Sequence, residues 1–311
     1  MTAVGYLLGY AAVLTFAAPA VLTRLTRGGA SPRLGMALWL STIGLAVAAW
    51  LAAGVGIAAA FVMGHGSAPA RFCLHLLVAV HHLGPVGDLA LAGGLGAAAV
   101  ASMVVLRRTA GTVRRFWSRS VEHADAARIL GAPTTPHPGV VVLPAPRAAA
   151  YCVAGRPDAI VVTSAAVDVL PGPQLAAVVA HERAHLAARH PQLMMVLRAL
   201  AAAMPRLPLF GAAVRAVAPL VEMCADDEAT RRCGRDAVLS SLVTLARPAR
   251  PPASGAMGSG MGVADVAVAS RAWRLAAGVD AAERLRQQVA LLAAFTVIVC
   301  LPGALTFVCH P

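Results

Sequence analysis

Residues 176–190 read AAVVAHERAHLAARH. Alanine, valine and leucine fill the run and no glycine or proline interrupts it, which predicts a helix. Pro171, Gly172 and Pro173 open it, and the pattern predicts that it runs to His190 and stops at Pro191. His181 and His185 are four residues apart and therefore share one face of that helix. Their imidazoles can bind one metal ion, with zinc held at about 2.0–2.1 Å. Glu182 follows the first histidine and can reach a metal-bound water as general base. Such a centre needs a third protein ligand and an open position.

A third ligand is visible further along, with 36 residues separating it from His185, in the run Glu222, Met223, Cys224, Ala225, Asp226. In a helix Glu222 and Asp226 lie on one face. Glu222 can bind the ion, and Asp226 can accept a hydrogen bond from the free nitrogen of a ligand histidine. Asp227 and Glu228 extend the acidic run, so in isolation a solvated acidic turn would explain it better. The upstream HExxH reverses that judgement.

The surroundings read as a domain of mixed structure. Residues 108–130 predict a helix, broken by Gly131, Pro133, Pro136 and Pro138. Three short β-branched runs follow at 140–143, 149–154 and 160–163, as in a small antiparallel sheet. Ser164 is the expected N-cap of a short helix reaching Leu170. A further helix is expected over 216–233, ended by Gly234. Residues 251–262, PPASGAMGSGMG, are low-complexity and predict a mobile loop, about 248–264 at its widest.

Outside this domain the chain is apolar. Of its 311 residues 59% are hydrophobic and 13% charged, and mean hydropathy is +0.72. A soluble domain carries about 25% charged residues. All 26 basic residues are arginine, which excludes lysine nucleophiles, Schiff bases and a Walker-type lysine. The net charge of +12 accompanies no nucleic-acid motif, and no direct nucleic-acid binding is expected. Four uncharged stretches are each long enough to cross a bilayer, at about 3–23, 34–63, 89–106 and 289–308. The run of arginines after the first and third stretches predicts both termini outside, an outer loop at 64–88, and residues 107–288 in the cytoplasm. Residues 107–288 hold all acids except Asp88, and all arginines except Arg24, Arg27, Arg33 and Arg71. The expected fold is thus a mainly α membrane protein, with three N-terminal spans in 1–106, a cytoplasmic α+β domain, and a fourth span in 289–311.

HExxH followed by ExxxD, together with IVVTSAAVDVLPGPQLAAVVAHERAHLAARH at 160–190, resembles the gluzincin membrane metallopeptidases over about residues 140–236. The resemblance implies a zincin-like domain with one Zn²⁺ per chain. It implies His181, His185 and Glu222 as ligands, Glu182 as catalytic base, and Asp226 as a supporting carboxylate. It further implies hydrolysis of peptide bonds in a protein or peptide substrate at a cell membrane. Three spans, a cytoplasmic zinc domain and a fourth span resemble the BlaR/MecR antirepressor peptidases, whose substrates include a transcriptional repressor, but without an extracellular sensor domain. HERAHLAARH is also similar to the HtpX quality-control type, which places two spans between HExxH and the ligand glutamate. Here Arg198, Arg206, Arg215 and several prolines argue against crossings in 191–220, so that stretch is expected to pack on the domain or lie at the interface. A non-catalytic zinc-bearing scaffold is the third reading, and Glu182 argues against it.

Other residues attract simpler explanations. His190 is expected at a helix end or supporting the ligands. His65, His75, His81 and His82 read as polar loop residues. Cys152, Cys224 and Cys233 should be reduced, Cys300 is a small apolar residue of a span, and Cys73 and Cys309 are a candidate outer disulfide. Arg231, Arg232 and Arg235 read as charge compensation at a helix C-terminus. Tyr151 reads as a packed strand residue, with oxyanion assistance as the alternative.

Overall fold

The computed structural model describes residues 3–62, 85–134, 137–246 and 263–308. Residues 64–84 of the expected outer loop, with its four histidines and Cys73, the expected mobile loop at 251–262, and Cys309 lie outside the described residues, while 85–88 are helical. The chain divides into two compact units. One comprises Met1–Gly111, Leu197–Ala216 and Arg286–Pro311; the other comprises Thr112–Val196 and Val217–Leu285.

The first unit is helical. Helices α1 (Ala3–Ala12) and α2 (Ala18–Thr26) are joined without a break by a π-helical turn at Val13–Ala17. Helix α3 (Pro32–Val62) follows, and helix α4 (Pro85–Leu130) enters the second unit after Gly111. The 31 residues of α3 span about 46 Å at about 1.5 Å per residue, more than a hydrocarbon core of about 30 Å. Several polar groups among these helices are paired. Trp39 Nε1 donates to Thr26 Oγ1 at 3.3 Å, and Trp50 Nε1 to Thr15 Oγ1 at 3.2 Å. Gln287 receives the Ser31 amide at 2.6 Å and donates to the Leu25 carbonyl at 3.0 Å. Outward faces carry Phe16, Val21, Leu51 and Val55, all exposed, as a lipid-facing surface requires.

Four described helical stretches are long and apolar enough to cross a membrane: Val4–Thr26, Pro32–Ala59, Pro208–Cys233 and Ala281–Leu301. Three coincide with expected spans. The expected span at 89–106 forms the first part of α4, where Leu89, Val100, Met103 and Leu106 are exposed. The stretch Pro208–Cys233 was not among the expected spans. Residues 191–220 form the end of α7 (His190–Ala203) and the beginning of α8 (Pro208–Cys233), and Leu197–Ala216 groups with the apolar helices, not with the sheet-bearing unit. Of the prolines in that stretch, Pro191 and Pro208 stand in the first turns of α7 and α8, Pro205 lies in the turn between them, and Pro219 stands inside α8.

The second unit is built on a four-stranded sheet in the order β1–β2–β4–β3. Strands β1 (Ala132–Pro133), β2 (Val140–Leu143), β3 (Ala150–Val153) and β4 (Ala159–Thr163) match the three expected runs and add one short strand. The sheet is mixed, not antiparallel as expected. β2 runs parallel to β4 in the register Val140 to Ile160, while β1–β2 and β3–β4 are antiparallel. The short β3–β4 hairpin swings β4 inward beside β2, which leaves β3 at the edge. All five β4 residues are buried, each Val or Ile stabilising by about 1.5–3 kcal/mol. Val140, Ile160 and Val162 face Ala166, Leu170, Val178 and Val179 of helices α5 (Ser164–Val169) and α6 (Gly172–Ala187). The opposite face, with Val141, Val153 and Val161, packs on Ala124 and Ala127 of α4. Gly155 is required there, since a Cβ would lie 2.6 Å from that of Ala124. The N-cap of α5 is Thr163, whose hydroxyl accepts the Ala166 amide at 3.3 Å. Ser164, the expected cap, instead receives the Ala145 amide.

Candidate metal centre

Helix α6 begins at Gly172, behind Pro171, and ends at Ala187, three residues short of the expectation. Arg189 takes a left-handed conformation (φ 54°), and α7 starts at His190. Pro191 therefore stands in the first turn of a new helix, where its missing N–H costs nothing, and does not end the old one. Against α6 lies the second half of α8. Ala177 and Ala180 meet Ala229, with Val238 of α9 (Arg235–Ala246) and Leu275 of α10 (Val263–Ala277) completing the cluster. Methyl groups at this contact let the two helices approach closely. Gly234 (φ +84°) ends α8 as expected.

That approach gathers the sequence-predicted donors. His181 Nε2 and His185 Nε2 are 3.0 Å apart, and the Glu222 carboxylate lies 3.5 Å from the first and 3.7 Å from the second. One donor atom of each residue falls within 4.8 Å of the other two. A tetrahedral ion with bonds of about 2.05 Å has edges of about 3.3 Å between ligand atoms. The spacing and the two-imidazole, one-carboxylate chemistry therefore fit a metal ion. The remaining ring nitrogens are engaged elsewhere. His181 Nδ1 lies 3.0 Å from Asp226 Oδ1, and His185 Nδ1 lies 3.1 Å from His190 Nδ1. Asp226 is thus where the ExxxD spacing predicted it, one helical turn beyond Glu222.

Protonation in the metal-free centre follows the neighbours. Burial pulls His181 down, but the hydrogen bonds to Asp226 and Glu222 outweigh it and hold it at about 9. His185 is lowered to about 4 by burial and by the charge of His181. Glu182 is raised, first by burial, with the charge of His181 and the Cys152 thiol hydrogen bond opposing. A base lifted this way holds a proton more readily than an exposed glutamate. Cys152 lies on β3, and its thiol is raised strongly by burial and by Glu182.

Arg271 of α10 was not foreseen. Its Nε and Nη2 donate to the two Asp226 oxygens at 2.8 and 2.7 Å, and Nη1 lies 2.9 Å from Glu222. Arg274, one turn on, grips Asp227 at 2.7 and 3.1 Å. The signal for both was present as adjacent aspartates facing an RxxR spacing, separated by 45 residues or more. Arg231 and Arg232 pair with Glu228. The Tyr151 hydroxyl bonds His123 at 3.2 Å, on the sheet face opposite Cys152. Cys152, Cys224, Cys233 and Cys300 form no disulfide.

Two imidazoles and a carboxylate converging on one point, with a half-buried glutamate next to the first imidazole, form the donor set of a metallopeptidase centre. Residues 95–249 match Peptidase family M48. The match covers α6, the sheet and the ligand-bearing half of α8, and supports an M48 metallopeptidase; with the apolar helices it indicates a membrane-associated one. Arg271 lies beyond the matched residues. No curated protein and no solved structure matches the chain.

Proposed function

We propose that this chain is an integral-membrane zinc endopeptidase that hydrolyses peptide bonds of a cytoplasmic or membrane-proximal protein. The observation that carries the reading is the convergence of His181, His185 and Glu222 beside the half-buried Glu182. His181, His185 and Glu222 would hold the zinc. When bound, the ion supplies Lewis-acid polarisation and makes a water acidic, toward a pKa of about 7. Glu182 accepts the proton of the attacking water and later delivers it to the leaving amine. Asp226 holds His181 by its Nδ1, and Arg271 holds both carboxylates of the ExxxD pair. Edge strand β3 would align an extended substrate by strand addition. A structural scaffold has no use for a base at Glu182.

The arginine distribution supports a plasma-membrane, multi-pass chain with both termini outside and the catalytic unit in the cytoplasm. The arrangement of spans favours a regulatory role of the BlaR/MecR kind, acting on a substrate such as a transcriptional repressor. One observation favours the HtpX-like quality-control reading. Leu197–Ala216, between HExxH and Glu222, groups with the apolar helices, which is where that type carries its intervening spans.

The test is Glu182→Ala in the purified full-length protein. Zinc content by elemental analysis should stay at one per chain while cleavage of casein disappears. Retained cleavage refutes the base assignment, and absence of zinc from the parent protein refutes the centre. In cells, a protein accumulating uncleaved in the Glu182→Ala strain identifies the substrate, and a repressor among such proteins decides for the regulatory role.

A further inference from the structure

We propose that His190 is a positioning residue for His185, its Nδ1 accepting the Nδ1–H of the ligand ring. The inference rests on the metal-centre reading above and goes beyond it to a residue with no place in HExxH or ExxxD.

The two Nδ1 atoms are 3.1 Å apart, with ring centroids separated by 5.1 Å and planes at 77°. Both residues are buried. Two ring nitrogens at hydrogen-bond distance bond only if one of them carries the proton. His185 Nε2 faces His181 and Glu222, so a metal there takes the Nε2 lone pair and leaves the His185 proton on Nδ1. His190 Nδ1 must then be the bare acceptor, with the His190 proton on Nε2. In an uninterrupted helix, residue 190 would stand about 140° around the axis from residue 185 at about 100° per residue. The left-handed Arg189 breaks that geometry. It ends α6 and turns the chain so that the first residue of α7 returns its ring to His185. A non-glycine residue at positive φ is uncommon, and here it has a definite result. The two ligand rings are therefore held by unlike partners, His181 by a carboxylate and His185 by a neutral imidazole.

The experiment compares the full-length protein with His190→Asn and His190→Leu in detergent, titrating zinc in competition with a chromophoric chelator. Asparagine Oδ1 can accept in the position of Nδ1; leucine fills the space and accepts nothing. His190→Leu should bind zinc about 10-fold or more weakly, and His190→Asn within about threefold of the parent. Equal losses in both variants, or no loss in leucine, overturn the proposal in favour of simple packing. A second measurement needs no variant. In the zinc-loaded parent labelled with ¹⁵N-histidine, His190 should be protonated on Nε2, and a proton on its Nδ1 overturns the proposal. A parent protein that binds no zinc fails the metal-centre reading itself, whereas a parent that binds zinc with an indifferent His190 fails only this inference.

Discussion

Replacing Arg271 by alanine removes the partner of two carboxylates at once. Asp226 is almost fully buried, and Arg271 is itself only 14% exposed. Losing one partner of a buried pair leaves an uncompensated charge and costs about 3–5 kcal/mol. Asp226 keeps His181 at 3.0 Å, and Glu222 is 39% exposed and regains water, so the lower figure, about 3 kcal/mol, is expected. At about 2–4 °C per kcal/mol for a domain of this size, the melting midpoint should fall by about 6–12 °C. Thermal unfolding of the purified metal-free protein, followed by circular dichroism, reads this directly. Arg271→Lys should recover only part of the loss, because an ammonium cannot reproduce the fork that meets both Asp226 oxygens. Removing the charge of Asp226 should suppress the effect, so that Arg271→Ala costs less in an Asp226→Asn background. A midpoint within 1 °C of the parent, or additive single and double variants, would refute the argument that Arg271 holds the ExxxD pair.

The other predictions concern the frame and the membrane. Ala229→Leu should overpack the contact between α6 and α8, costing about 1–3 kcal/mol and weakening zinc binding in the chelator assay; unchanged affinity would mean that this contact does not set the donor spacing. With Cys73 and Cys309 changed to serine, a cysteine at the exposed Gly28 should resist a membrane-impermeant maleimide in intact cells and react after permeabilisation. Labelling in intact cells would reverse the orientation.

The centre was legible because its spacings are local. His181 with His185, and Glu222 with Asp226, each encode one turn of a helix, so a face can be read without knowing the fold. Arg271 obeys no such rule, since it meets Asp226 only when α10 packs beside α8. The parallel pairing of β2 with β4 was equally hidden, because runs of four or five apolar residues carry no sign of direction. Pro191 misled for a related reason. A proline ends one helix or begins the next, and the deciding fact is the backbone angle of Arg189. The turn at 204–208 was hidden for the same reason, since Pro205 and Pro208 separate two helices there and could equally have marked the break of one.

The two margins of the sheet are unlike. β1 is two residues long and includes Pro133, which has no N–H to offer a neighbour. β3 is twice that length, has a partner on one side only, and contains no proline. The sheet can therefore be extended from one margin and is closed at the other. The open margin carries Cys152, the thiol that touches Glu182. Any stray strand that seated there, from a second copy or an unfolded protein, would compete with substrate, so a tendency to aggregate through this sheet would register first as inhibition.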